Sequence, residues 1–174
     1  MNVITAVNEY KLKPGQVSVF LAGGITDCWD WQQEVIKELS KFSNTENLVV
    51  FNPRRSDFSI DDPNAAQIQI EWEYKYLHEA DIFSMYFTEG KSTQPICMYE
   101  LGVHLTRLSD LNSLKPLSAI ISVESGYCRA KDVLIQSKLA MGGRDIANMN
   151  ANAKHHAKMI YDDYLWILHG DQND

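Results

Sequence analysis

Cysteine is scarce in this chain. Cys28, Cys97 and Cys128 stand far apart, odd in number, with no C-x-x-C pair among 174 residues. That spacing argues against a zinc knuckle or a disulfide framework. Long apolar runs are missing too, and nothing approaches the ~20 residues of a membrane span. The start, Met1-Asn2-Val3-Ile4, lacks the basic-then-apolar pattern of a signal peptide. A reducing cytoplasm is the expected setting. Positive charge is in deficit: 16 Lys and Arg against 23 Asp and Glu leave a net charge of −7. Such a surface repels nucleic acid, whereas a small anionic ligand needs only a local basic pocket. There is no internal repeat, no low-complexity linker and no G-x-G-x-x-G dinucleotide motif. What remains, 45% hydrophobic and 22% charged, is the composition of an ordinary globular protein. Its length suits one domain over 1–174 with a sizeable core.

Strand and helix patterns alternate. Residues 17–22 form an apolar run that ends at Gly23-Gly24. Trp31, Val35, Leu39 and Phe42 then recur at helical spacing, with Thr26 or Asp27 available as a cap. Residues 48–51 read as a second strand, stopped by Asn52-Pro53. A polar loop with Asp61, Asp62 and Pro63 leads to a helix over 65–79. Residues 81–87 give a third strand, and a helix follows that starts at Pro95 and carries Glu100. Residues 117–123 give a fourth strand, before helices near 130–139 and 151–168 and a polar tail at 170–174. Residues 3–6 add a possible edge strand. This alternation predicts an α/β fold: a flavodoxin-like or Rossmann-like three-layer sandwich on a parallel sheet of four to five strands.

Such sheets bind ligands beyond the carboxyl ends of their strands. Four loops there carry polar residues: Gly23-Gly24, Asn52-Pro53-Arg54-Arg55, the 88–94 loop with Gln94, and Glu124-Ser125-Gly126-Tyr127. The glycines either let backbone N–H groups approach a ligand or make a plain tight turn. Arg54 and Arg55 suit a carboxylate, phosphate or base edge, unless one is a solvated surface arginine. Glu100 lies early in its helix, where Gly102 would let the helix approach the sheet. It is a candidate nucleophile or base, or else a carboxylate favoured by the helix dipole. Glu73 falls in the apolar row Ala66, Ile70, Leu77, so it needs a partner, and Arg54 is one candidate. Asp81 is out of character in a strand and could simply terminate the preceding helix. His104 reads as a surface or half-buried histidine and His155-His156 as solvated. Trp29, Trp31 and Trp72 serve either a bound base or the core.

These residues resemble the nucleoside 2-deoxyribosyltransferase superfamily, in its divergent branch, from about Val3 to Leu134. The matching stretches are Val19-Phe20-Leu21-Ala22-Gly23-Gly24-Ile25, Asn52-Pro53-Arg54-Arg55, Gln69-Ile70-Glu71-Trp72-Glu73, Ala80-Asp81-Ile82 and Tyr99-Glu100-Leu101-Gly102. The resemblance implies a flavodoxin-like fold, no cofactor or metal, and cleavage of an N-glycosidic bond. Glu100 would be the nucleophile that forms a covalent glycosyl-enzyme. Asp81 matches an active-site aspartate, and Asp132 lies near a sugar-contacting asparagine. Gly23, Gly24, Asn52, Arg54, Arg55, Gln94 and Asp132 are then the expected substrate contacts, and the expected partners are a nucleoside or nucleotide and a free nucleobase. A homo-oligomer is also implied.

The chain departs from that pattern in three places. Phe20 stands where a tyrosine is expected, and Gln94 where an aspartate would protonate the base. Glu89 or Glu73 could take that second role. Gly23-Gly24-Ile25-Thr26 lacks the serines and arginine with which related nucleotide N-glycosidases hold a 5′-phosphate, though Arg54, Arg55, Ser92 and Thr93 could compensate. Three readings result: deoxyribosyl transfer between bases, hydrolysis of a deoxynucleoside monophosphate, and a nucleotide sensor without turnover.

Overall fold

The structure, a computed structural model, describes residues 1–56, 64–110, 112 and 114–170. The polar loop around Asp61, Asp62 and Pro63 and the tail at 171–174 lie outside the described residues. Among the described residues, six strands form one sheet: β1 (Asn2–Thr5), β2 (Val17–Gly23), β3 (Leu48–Asn52), β4 (Ile82–Phe87), β5 (Ser118–Val123) and β6 (Ala147–Met149). The described helices alternate with them: α1 (Trp31–Leu39), α2 (Ala65–Glu79), α3 (Pro95–Ser109), α4 (Ala130–Ala140) and α5 (Ala153–His169).

Every strand pair is parallel and the order is β1-β3-β2-β4-β5-β6. Without β1, that is the 2-1-3-4-5 order of flavodoxin-like folds. The sheet has six strands where four to five are expected. The extra one is β6, three residues without a β-branched side chain, which pairs Ala147 with Ile121 and Met149 with Val123. So short a strand carries no local pattern; β5 supplies its partners.

The central strands are buried along their length because both faces are covered. Val19 and Leu21 of β2 and Ile82 and Tyr86 of β4 meet Trp31, Val35 and Leu39 of α1 and Ile160 and Tyr164 of α5. Phe20, Ala22, Phe83, Met85 and Phe87 meet Trp72 and Tyr76 of α2 and Leu101 and Leu105 of α3 on the other face. Trp31 and Trp72 are thus core residues, and Trp29 is exposed. Asp30, not Thr26 or Asp27, caps α1 by accepting the Gln33 N–H at 3.0 Å.

Two histidines differ from expectation. His156 is fully buried, with Ser84 Oγ 2.6 Å from Nε2 and Ser122 Oγ 2.7 Å from Nδ1. His104 is also buried and stacks on Phe83. Burial pushes both imidazoles down to about 3, so they are neutral at ordinary pH.

Candidate active site

The chain runs from β2 through α1 to β3 on one side, then returns through α2 to β4 on the other side of β2. That reversal opens a crevice beyond the carboxyl ends of β2 and β4. A cavity of about 300 Å³ lies there. Phe20, Ala22 and the Gly23–Thr26 turn form one wall. Pro53 and Glu73 of α2 form a second, and Ser92, Gln94, Ile96, Cys97 and Glu100 a third.

The paired glycines have a packing cause. At Gly23, with φ of +152°, a Cβ would come within 2.3 Å of the Tyr86 carbonyl oxygen and 2.6 Å of the Trp31 ring. At Gly24 it would meet Cys28 Sγ at 2.4 Å and Gln94 Oε1 at 2.7 Å. The β2 exit therefore passes close under the β4 loop. Gln94 takes the left-handed conformation just before α3, and Pro95 fills the first helical position, as its missing N–H allows. Gln94 Nε2 donates to the Thr88 carbonyl at 2.8 Å and to Thr88 Oγ1 at 3.1 Å, closing the loop on itself.

Glu100 projects into the cavity from the second turn of α3, beyond the reach of the helix dipole. Burial, and then the charge of Glu73, push its carboxyl up to about 8. Glu73 is raised as well, by burial. Its partner is Gln69, whose Nε2 donates to Glu73 Oε1 at 2.7 Å and to the Pro53 carbonyl at 2.8 Å. The expected Arg54–Glu73 pair does not form. The buried residues of α2 are Ala65, Gln69, Trp72, Tyr76 and, from the expected row, Leu77, while Ala66 and Ile70 face solvent, so Glu73 sits at the edge of the buried face. Cys97 shares the wall, but burial lifts its thiol to about 12, so it is no thiolate. Gly102 is exposed with open space about it, which removes its expected role in close helix–sheet contact.

Of the expected residues, the cavity gathers Gly23, Gly24, Glu73, Gln94 and Glu100. Asn52 sits just behind, with Oδ1 accepting the Arg54 N–H at 3.0 Å. Arg54 turns toward the first loop, where it bonds backbone carbonyls. Arg55 is half-buried and is not among the described lining residues. Asp132 is exposed on α4, paired with Arg129 at 3.1 Å. Asp81 lies at the opposite end of the sheet, before β4. There it accepts from Ser18 N at 2.8 Å and Ser18 Oγ at 2.7 Å and pairs with Lys115 at 2.7 Å. Its place explains the aspartate as a pin between strands.

Glu124, which the sequence marks only as a loop residue, ties three loops together. It accepts from Tyr86 OH at 2.8 Å, Trp29 Nε1 at 3.0 Å and the Glu89 N–H at 2.7 Å, joining the loops after β2, β4 and β5. Only its place at a strand end hinted at this. Among the described residues, no group of three His, Cys, Asp or Glu could hold a metal ion. No described helix is long and apolar enough to cross a membrane.

No curated protein matches the chain in sequence. A crystal structure of RosB with a bound intermediate, 8-demethyl-8-formylriboflavin-5′-phosphate, aligns with a TM-score of 0.39 and 14% identity, over 84% of this chain and 81% of that one. The sequence model of the family described as "nucleoside 2-deoxyribosyltransferase like" matches residues 16–111, which span β2 through α3 and so hold both cavity carboxylates. This chain belongs to the nucleoside 2-deoxyribosyltransferase-like family.

Proposed function

We propose that this chain cleaves the N-glycosidic bond of a 2′-deoxynucleoside and passes the deoxyribosyl group to a second nucleobase, with Glu100 as nucleophile and Glu73 as proton carrier. The observation that carries this reading is the pair of carboxylates lining one largely apolar cavity. A volume of about 300 Å³ suits a small ligand. Both carboxyls are raised, so together they retain a proton near neutrality.

One proton on the pair is what the first half-reaction consumes. The reactive form is the one with that proton on Glu73 rather than on Glu100; ionised Glu100 then attacks C1′, and the C1′–O bond forms as the C1′–N bond breaks. The bonding electrons leave with the base, which takes the proton of Glu73. In the second half, the Glu73 carboxylate removes a proton from the incoming base, and the base nitrogen displaces Glu100. The scheme draws on the chain's own groups alone. Hydrolysis of a monophosphate would need a phosphate clamp; of the two arginines expected for it, Arg54 is engaged with backbone carbonyls and Arg55 is not among the described lining residues.

Exposed Ile70 and Tyr74 of α2 and Ile96 and Tyr99 of α3 lie on the two helices that carry the carboxylates. They support a homo-oligomer that covers this side, which light scattering would read as a mass above one chain.

Chromatography tests the reading. A deoxynucleoside incubated with a different free base should give a new deoxynucleoside. Free base released only from a deoxynucleoside monophosphate would favour the hydrolase instead, and no product from either would leave the sensor.

A further inference from the structure

Arg54 follows Pro53 directly beyond the end of β3. Its Nη2 lies 3.3 Å from the Gly24 carbonyl oxygen, 3.2 Å from that of Ile25, 3.3 Å from that of Cys28 and 3.1 Å from that of Trp29. Its Nε donates to Gln32 Oε1 at 3.0 Å and stands 3.5 Å from Asp30 Oδ1. One guanidinium thus ties both ends of the loop after β2 to the first turn of α1. The side chain is only 19% exposed. A lysine could not substitute, because one ammonium on a flexible stem lacks the planar fork.

Peptide geometry extends the consequence to the cavity. In a trans peptide the C=O of one residue and the N–H of the next point in opposite directions. With the Gly24 and Ile25 carbonyls drawn to Arg54, the N–H groups of Ile25 and Thr26 turn away from it. Both residues line the cavity.

We infer that Arg54 is a positioning residue: it presets the loop over residues 24–30 as a cavity wall whose Ile25 and Thr26 amides donate to an uncharged acceptor oxygen of the substrate, and it does not clamp a 5′-phosphate. The charge of the cavity agrees. Among the described lining residues there is no Lys or Arg, while Glu73 and Glu100 both line it. A phosphate there would meet two carboxyl groups and no cation.

Hydrogen exchange on ligand-free wild type and Arg54→Lys reads the loop directly. Cys28 N–H is bonded to the Ile25 carbonyl, Trp31 N–H to that of Trp29, and Gln33 N–H to Asp30 Oδ1. Peptides covering residues 24–34 should exchange about tenfold faster in the variant, while those of β4 and β5 keep the wild-type rate. Unchanged loop exchange would overturn the inference. So would a uniform rise across the sheet, which would make Arg54 a general stabiliser. The activity arm rests on the N-glycosidic reading above: kcat/KM should fall about tenfold or more for a deoxynucleoside and its 5′-monophosphate alike. A loss confined to the monophosphate would make Arg54 the phosphate clamp and overturn the inference. If wild type turns over no deoxynucleoside, the N-glycosidic reading fails, and the exchange arm still decides the role of Arg54.

Discussion

Glu100, the proposed nucleophile, comes at a cost to the fold. A glutamate ordinarily titrates near 4.5, and in the cavity Glu100 is pushed up to about 8. A carboxyl raised on folding contributes stability that is full below its unfolded value and is lost as pH rises through the folded value. Glu100→Gln is therefore expected to raise the thermal midpoint by several degrees at pH 8 and to leave it unchanged at pH 4. Scanning calorimetry at the two pH values checks this, and an equal gain at both would show that the carboxyl keeps an ordinary pKa. Glu73 is separable from it by the leaving group. Glu73→Gln should slow a natural deoxynucleoside about 100-fold or more, yet spare a substrate whose leaving group departs without a proton. Equal losses on both substrates would remove Glu73 from the acid role. Glu100 was legible in the sequence as a carboxylate early in a helix after a strand. Its raised pKa was not, because that depends first on burial by the tertiary fold and then on Glu73, 27 positions away in the chain and across the cavity.

At the scale of elements, the strands and helices with continuous or periodic apolar patterns were legible, from β2 to α5. The misreadings have local causes. Ala66, Ile70 and Leu77 suggested a buried row on α2; Leu77 is buried, but Ala66 and Ile70 face solvent, and the helix turns Gln69, Trp72 and Tyr76 inward because aromatic rings fill the space over Phe51 and Phe20. His156 reads as polar and hence solvated, yet two serines from separate strands, Ser84 and Ser122, receive it inside. That trio pins α5 to the sheet. His156→Phe should destabilise the protein by about 1–3 kcal/mol for each hydroxyl left unpaired. Adding Ser84→Ala and Ser122→Ala should recover much of that loss, since replacing every partner of a buried hydrogen bond is nearly neutral. Urea titration of the single and triple variants checks it; a triple variant weaker than the single one would show that the serines have other work.

For the whole molecule, alternation alone foretold a parallel sheet, and the strand order then dictated where the site lies. The order itself is a long-range property: β2 pairs with both β3 and β4, and nothing within either strand announces that. Reversal of the winding at β2 is what brings Glu73 of α2 and Glu100 of α3 to one cavity, and it leaves Asp81 at the other end of the sheet. The family's sequence match over residues 16–111 covers this whole arrangement. In the proposed reaction Glu100 bonds to the sugar. Wild type and Glu100→Gln are incubated with a 2′-deoxynucleoside and no acceptor base, quenched in acid, digested and mapped by mass spectrometry. A deoxyribosyl group on the peptide that contains Glu100, present in wild type and missing from the variant, is the expected result. Turnover with no adduct on that peptide, or an adduct that persists in Glu100→Gln, would contradict it.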